Sequence, residues 1–202
     1  FTKLALEDWD NFLKGQTPRV MKNKEPIKLT SEQIKRALTS LYRFEKQFEC
    51  VCTEFEFADI TASDSKKLIE IEVKISYTDL KNESKKSTKI RKHQLNNLDG
   101  KPRKSEHVPN EFYFAMPYEL AQKKEVINYI TSLNDKYGII TVTPIYSKYH
   151  KKYVYDIRYY KRAKKIHNNN ISREFLDKIV KRLSSENIGL REKLYYIKNP
   201  IK

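Results

Sequence analysis

Apolar side chains near the start of the chain, Leu6, Trp9, Phe12 and Leu13, fall at helical spacing and give way to a polar stretch from Lys14 to Lys28. A stronger helix follows. Thr30 and Gln33 form a capping box, whose two side chains satisfy N–H groups that the first turn leaves open, and Ile34, Leu38 and Leu41 carry the 3.6-residue period to about Phe44. After Phe48 the period changes to two. Cys50 to Phe57 is β-prone, and Lys67 to Ile75 alternates most cleanly: Ile69, Ile71, Val73 and Ile75 on one face, Glu70, Glu72 and Lys74 on the other.

Tyr77 to about Leu98 is polar, dense in Lys and helix-compatible, and Gly100 and Pro102 close it. Glu111 to Met116 is an apolar run bounded by Pro109 and Pro117, which predicts a buried strand. A helix is expected over Glu119 to Leu133, with Leu120, Val126, Ile127 and Ile130 inward. Strands are expected over Gly138 to Thr143 and Tyr153 to Tyr160. Ser172 is placed to cap a last amphipathic helix on Phe175, Ile179 and Leu183, with Gly189 near its end. This order predicts an α/β fold, a central mixed β-sheet flanked by helices, without internal repeats. It divides into an N-terminal helical arm (1–29), a core (30–168) and a basic C-terminal helical extension (169–202) packed on the same domain.

Composition narrows the chemistry. The 202 residues include only 4 Gly, and nothing reads GxxxxGK[ST] or GxGxxG, which excludes P-loop and Rossmann nucleotide chemistry. With 14 Tyr, 9 Phe and 1 Trp, a packed core is within reach. Cys50 and Cys52 are too close for an ordinary disulfide or a CxxC metal clip and read as small core hydrophobes. No window approaches the run of about eighteen apolar residues that spans a membrane, so a cytoplasmic protein is expected. The formal charge of +15, from 41 Lys and Arg against 26 Asp and Glu, favours an anionic partner.

One group of side chains could carry chemistry. Period-two geometry sets Glu72 and Lys74 side by side, thirteen residues after Asp59, and a neighbouring strand ending at Asp59 would bring its carboxylate alongside. Two converging carboxylates suit Mg²⁺, and an adjacent ammonium can orient or deprotonate a water and steady charge on phosphorus. A Glu-x-Glu-x-Lys face is also what a solvated, self-pairing strand surface looks like.

These residues resemble the PD-(D/E)xK nuclease superfamily, the restriction-endonuclease-like fold, and within it the MmcB-like branch of DNA-repair or defence nucleases. The resemblance rests on Ala58-Asp59-Ile60, read as a turn; on the passage Ile69 to Ser76 with Asp79-Leu80 behind it; and on Asn110 to Pro117 with Glu119-Leu120 following. Tyr137 to Ile140 and Arg162 to His167 continue it, so that it spans about residues 30 to 168, and the order and spacing of the motifs are more specific than any one of them. The chain departs from the signature in having Ala58 where a Pro precedes the acid.

The resemblance implies a restriction-endonuclease-like core that cleaves DNA with Mg²⁺ or Mn²⁺. Asp59 and Glu72 would be metal ligands, Lys74 the catalytic lysine and the Val73 backbone carbonyl a further ligand. Glu54 is the choice for the upstream acid, with Glu45 as runner-up, and Glu70 either supports the site from behind or pairs with Lys74. Ser76 and Asp79 cap the next helix or act at the site. Lys92, His93 and Gln94 match a Lys/His-rich helix that reaches the scissile phosphate, although a solvated His93 fits equally well.

The basic charge is uneven. Ile145 to Lys202 holds 16 Lys and Arg against 5 Asp and Glu, so +11 of the +15 lies there, interleaved with Tyr146, Tyr149, Tyr153, Tyr155, Tyr159, Tyr160, Tyr195 and Tyr196. Such a surface attracts phosphate backbones and offers rings to unpaired bases. Its densest piece, Lys161, Arg162, Lys164 and Lys165, is expected to contact nucleic acid. The expected activity is metal-dependent DNA hydrolysis. The alternatives are a catalytically silent DNA-binding subunit on the same scaffold and an RNA-processing nuclease. A homodimer or a larger nuclease complex is compatible with either.

Overall fold

A computed structural model describes residues 28–55, 58–64, 66–85, 108–147 and 149–198. Residues 1–27 of the N-terminal arm and Lys92, His93 and Gln94 lie outside the described residues. The capping box forms as expected: the Gln33 N–H donates to Thr30 Oγ1 at 3.2 Å and the Thr30 N–H to Gln33 Oε1 at 2.9 Å. It starts α1 (Ser31–Ser40), which runs on as a π-helical turn, Leu41–Glu45.

The inner side of α1 packs on a six-stranded sheet of strand order 1 to 6. Its strands are β1 (Cys50–Phe55), β2 (Ala58–Ser63), β3 (Leu68–Val73), β4 (Glu111–Pro117), β5 (Gly138–Ser147) and β6 (Lys152–Lys161). The β3–β4 and β4–β5 pairs are parallel and the other three antiparallel, so the sheet is mixed. Between β3 and β4 comes α2 (Tyr77–Lys81), continued by a 3₁₀ turn (Asn82–Lys85); α3 (Tyr118–Ala121) and α4 (Lys124–Leu133) connect β4 to β5; and α5 (Arg173–Lys198) follows β6.

The alternation of each strand sorts the core into two layers. Ile60, Ile71, Val73, Ala115 and Ile140 meet Ile34, Leu38 and Tyr42 on the α1 face. Phe112, Phe114, Met116 and Ile139 meet Leu80, Val126 and Ile130 on the opposite face. There, beside β1 and β3, Phe175 and Ile179 of α5 close over Cys52, Phe55 and Leu68. Cys52 is thus a core residue, its thiol pushed up to about 12 chiefly by burial.

Expectation and structure differ in four places. Ala58-Asp59-Ile60 is the start of β2, not a turn, so Asp59 sits near the beginning of a strand. The helix expected over Glu119 to Leu133 breaks at Gln122-Lys123. A continuous helix, at about 100° per residue, would aim Val126 far from Leu120, and the break returns both to the sheet. The last helix runs through Gly189, where an added β-carbon would meet nothing within 4 Å, so the residue costs only about 1 kcal/mol of propensity and does not terminate the helix. Finally, β5 and β6 are longer than expected. Among the described residues no helix is long and apolar enough to cross a membrane.

Gly138 is required by packing. A β-carbon there would lie 2.4 Å from two ring atoms of Tyr113 and 2.6 Å from the Ala163 backbone nitrogen. Gly138→Ala is expected to destabilise the fold by about 1–3 kcal/mol, the range for overpacking, read as a lower urea midpoint. An unchanged midpoint would show that β4 and the segment after β6 part freely there.

Candidate active site

The register of the first three strands gathers the acids. Thr53 pairs with Ile60 and Phe55 with Ala58, so Glu54 lies across from Asp59. Ile60 pairs with Ile71, and one rung further along Asp59 lies across from Glu72. Glu54, Asp59 and Glu72 therefore form one row across β1, β2 and β3, at the end of the sheet where β3 finishes. The backbone is tailored to this row: Glu54 has φ 51°, a left-handed conformation costly for a residue with a β-carbon. Asp59 Oδ2 accepts the Val73 N–H at 2.8 Å, fixing the end of β3, where the Val73 carbonyl also lies.

The polar face of β3 is not a solvated surface. Glu70, Glu72 and Lys74 are 3%, 2% and 3% exposed, because β3 is a central strand with packed layers on both sides. An uncompensated carboxylate buried this deeply would cost several kcal/mol, so each needs a partner. For Glu72 and for Glu83 that partner is Lys74 Nζ, 3.4 Å from Glu72 Oε2, 2.7 Å from Glu83 Oε2 and 3.9 Å from Asp79 Oδ1. Burial alone would lower the Lys74 pKa, but Glu83, Glu72 and Asp79 outweigh it and hold the group above its ordinary value. Lys74 is therefore an ammonium ion: it can donate hydrogen bonds and stabilise negative charge, and it is not poised to take a proton.

A second lysine holds the other two acids of the row. Lys35, on α1 and 8% exposed, directs its ammonium group at Glu54, at Asp59 Oδ1 (3.3 Å) and at Glu32 Oε1 (3.4 Å). Its pKa is likewise raised, because Glu54 and Asp59 more than offset the opposing effect of burial. Six carboxylates thus surround two ammonium groups, a formal −4 in a chain of +15.

The remaining sequence-derived candidates divide by position. Ser76 caps α2, its Oγ accepting the Asp79 N–H at 3.1 Å, and Asp79 lies in the outer reach of Lys74. Glu70 shares the buried face with Glu72 but lies two residues earlier in β3, away from the row; it and Glu83, after burial itself, keep the Tyr137 phenol above its usual range. Glu45, exposed on the π-helical turn, is ten residues from Lys35, about 15 Å along the helix, and is not brought to the row.

Lys161, Arg162, Lys164 and Lys165 are not brought to it either. Lys161 pairs with Ile139, on the rung that runs through Phe114 to Glu72, but three strand spacings away, about 14 Å; Arg162, Lys164 and Lys165 follow it toward the end where β3 begins. There the Lys164 N–H donates to the Lys136 carbonyl and the Ile166 N–H to that of Asn110, each at 2.8 Å, and Asp135 accepts Lys164 Nζ at 2.9 Å. Sequence reasoning missed Glu32, Lys35 and Glu83. Lys35 leaves a trace, since it borders the Ile34, Leu38 and Tyr42 stripe; Glu83 leaves only its position one turn after Leu80.

All the donors in the row are oxygens, the kind a hard divalent cation takes. The residues fit such an ion in chemistry and strand position. The side chains are not drawn together: among the described residues no group of three or more His, Cys, Asp or Glu is arranged to hold a metal ion. The two lysines account for this, Lys35 holding Glu54 and Asp59 and Lys74 holding Glu72.

No family model matches the chain, and no curated protein matches it. Among solved structures it is similar to the SPO1766 protein of unknown function from Silicibacter pomeroyi, with a TM-score of 0.49 and 13% identity over 86% of this chain and 95% of that one.

Proposed function

We propose that the protein is a metal-dependent nuclease that hydrolyses phosphodiester bonds in DNA. The observation that carries this reading is the row of Glu54, Asp59 and Glu72 across three strand ends with the buried Lys74 ammonium beside it. The restriction-endonuclease-like resemblance assigns the same roles to Asp59, Glu72 and Lys74, and the charge of +15 supports a polyanionic substrate.

The reaction is attack of water on phosphorus with loss of one P–O bond to the sugar. Glu54, Asp59, Glu72 and the Val73 carbonyl would hold Mg²⁺ or Mn²⁺. When bound, such an ion neutralises phosphate charge and makes a water more acidic. Lys74 is the catalytic lysine in this reading: its ammonium group orients the attacking water and donates to the phosphate oxygen on which charge grows. The buried setting strengthens that interaction, and losing one such donor typically costs about 10²–10³ in rate. Asp59 also fixes the end of β3 through the Val73 N–H, which couples the ligand row to the strand that carries Glu72 and Lys74.

The cross-bracing of the acids by Lys35 and Lys74 favours one second reading, a DNA-binding scaffold that does not cut. A cleavage panel separates the two. With Mg²⁺ and Mn²⁺ titrated over single-stranded, duplex and branched DNA and over RNA, products are expected from DNA, only with a divalent ion, and none in EDTA. Salt-sensitive binding with no product from any DNA at any metal concentration would overturn the nuclease reading; products from RNA alone would correct the substrate.

A further inference from the structure

We propose that the outer half of the β5–β6 hairpin is an arm that holds unpaired DNA at the acidic end of the sheet. The inference takes the DNA substrate of the proposed function as given and adds its strand form. The last rung of β4 with β5 is Pro117↔Val142, and α3 then turns the chain away. β5 and β6 continue alone from Thr143↔Asp156 to Ser147↔Lys152. Those five rungs project about 16 Å beyond the sheet. Because β3, β4 and β5 are parallel, the arm points outward from the end where β3 finishes: the rung of Glu72 runs through Phe114 to Ile139, so the arm begins at Thr143 about 13 Å further along and two strand spacings, about 10 Å, to the side.

The arm carries side chains that a solvent-facing ribbon has no need of. Tyr146 and Tyr153 face each other across one rung with ring centroids 5.2 Å apart, and Tyr146 is 40% exposed. At the turn Tyr149 is 85% exposed, beside exposed Lys151 and Lys152. No acid occurs between Ile145 and Val154, whereas Glu54, Asp59 and Glu72 form their row in the sheet below.

The same inventory selects the ligand. No arginine occurs between Thr143 and Ile157, and Arg158 at the base is held by Asp156 at 2.7 Å. The arm therefore lacks the planar fork that reads base edges in a groove, while its lysines meet phosphates as point charges. Tyrosine faces stack on bases only where those bases are out of a duplex. Together these favour a single strand, bound without sequence preference, over intact duplex.

The test is fluorescence anisotropy of a labelled single-stranded oligonucleotide and its duplex, in EDTA so that nothing is cut. The wild type is compared with Tyr146→Ala/Tyr153→Ala, Tyr146→Leu/Tyr153→Leu, Lys151→Gln/Lys152→Gln and Lys164→Gln/Lys165→Gln. Both tyrosine pairs are expected to weaken single-strand binding at least about tenfold. The leucine pair keeps the apolar contact across the rung, so an equal loss in it excludes a folding defect. Lys151→Gln/Lys152→Gln should lower the slope of log affinity against log salt by about 1.4, and Lys164→Gln/Lys165→Gln should change it less. Single-strand affinity unchanged in the tyrosine variants, preference for duplex by the wild type, or a larger loss from the far-end lysines would each overturn the proposal. A wild type that binds through the arm but never cuts would sink the nuclease reading and leave this one standing.

Discussion

Lys74→Met is expected to reduce cleavage by at least about 10²-fold and to destabilise the protein by about 3–5 kcal/mol, the cost of breaking a buried ion pair from one side. The second effect arises because Glu72 and Glu83, 2% exposed each, lose the ammonium that compensates them. Lost activity in this variant alone could therefore reflect lost fold. Lys74→Met combined with Glu83→Gln removes one of the stranded charges while keeping its shape, and part of the stability should return without activity. The two readouts are urea unfolding and the cleavage panel; a double variant that folds and cuts at the wild-type rate would remove Lys74 from the chemistry. The pH dependence has a definite sign. Since the folded-state pKa of Lys74 is raised, its pairing contributes in full below the ordinary lysine value of 10.5 and is lost only as pH rises beyond it. Stability should show no loss from this group between neutral pH and about pH 10.

Much of this arrangement is written in local pattern, and the rest depends on neighbours that a linear pattern does not contain. The alternation over Lys67 to Ile75 places Glu70, Glu72 and Lys74 on one face, as the structure does. Whether that face meets water is decided by β4, distant in sequence, pairing in parallel, and by the turn after α2 folding Glu83 back over it. β2 escapes notice because Ala58 to Ser63 is short and mixes Asp59 with small side chains, yet its pairing on both edges makes it a strand. Charge density leaves position open for a related reason. Lys161, Arg162, Lys164 and Lys165 are the densest basic run, but density says nothing about which way a run leaves a strand: this one heads toward the start of β3, and the sparser lysines of the β5–β6 turn stand beyond the end where β3 finishes.

Asp59→Asn and Lys35→Met are expected to act in opposite directions on the response to a divalent cation. Asparagine keeps an oxygen to accept the Val73 N–H and so preserves the end of β3, but it removes charge from the centre of the row. Cleavage should fall at least about 10²-fold, with little change in unfolding measured in EDTA. Lys35 is the reverse case, because its ammonium stands among the Glu54 and Asp59 carboxylates that a cation would need. Methionine fills much of the same volume without charge, leaving those acids to repel each other. In EDTA the variant should lose roughly 1–3 kcal/mol, the worth of a charged hydrogen-bond partner, moderated by the exposure of Glu54. Added Mn²⁺ should then raise its Tm by more than it raises that of the wild type, since a tenfold gain in affinity adds about 1.4 kcal/mol at saturating metal. The ranking of Mn²⁺-induced Tm shifts, Lys35→Met above wild type above Asp59→Asn, separates a cation site from a purely structural ion-pair row. Equal shifts in all three proteins would mean that Glu54 and Asp59 exist to hold α1 against the sheet and nothing more.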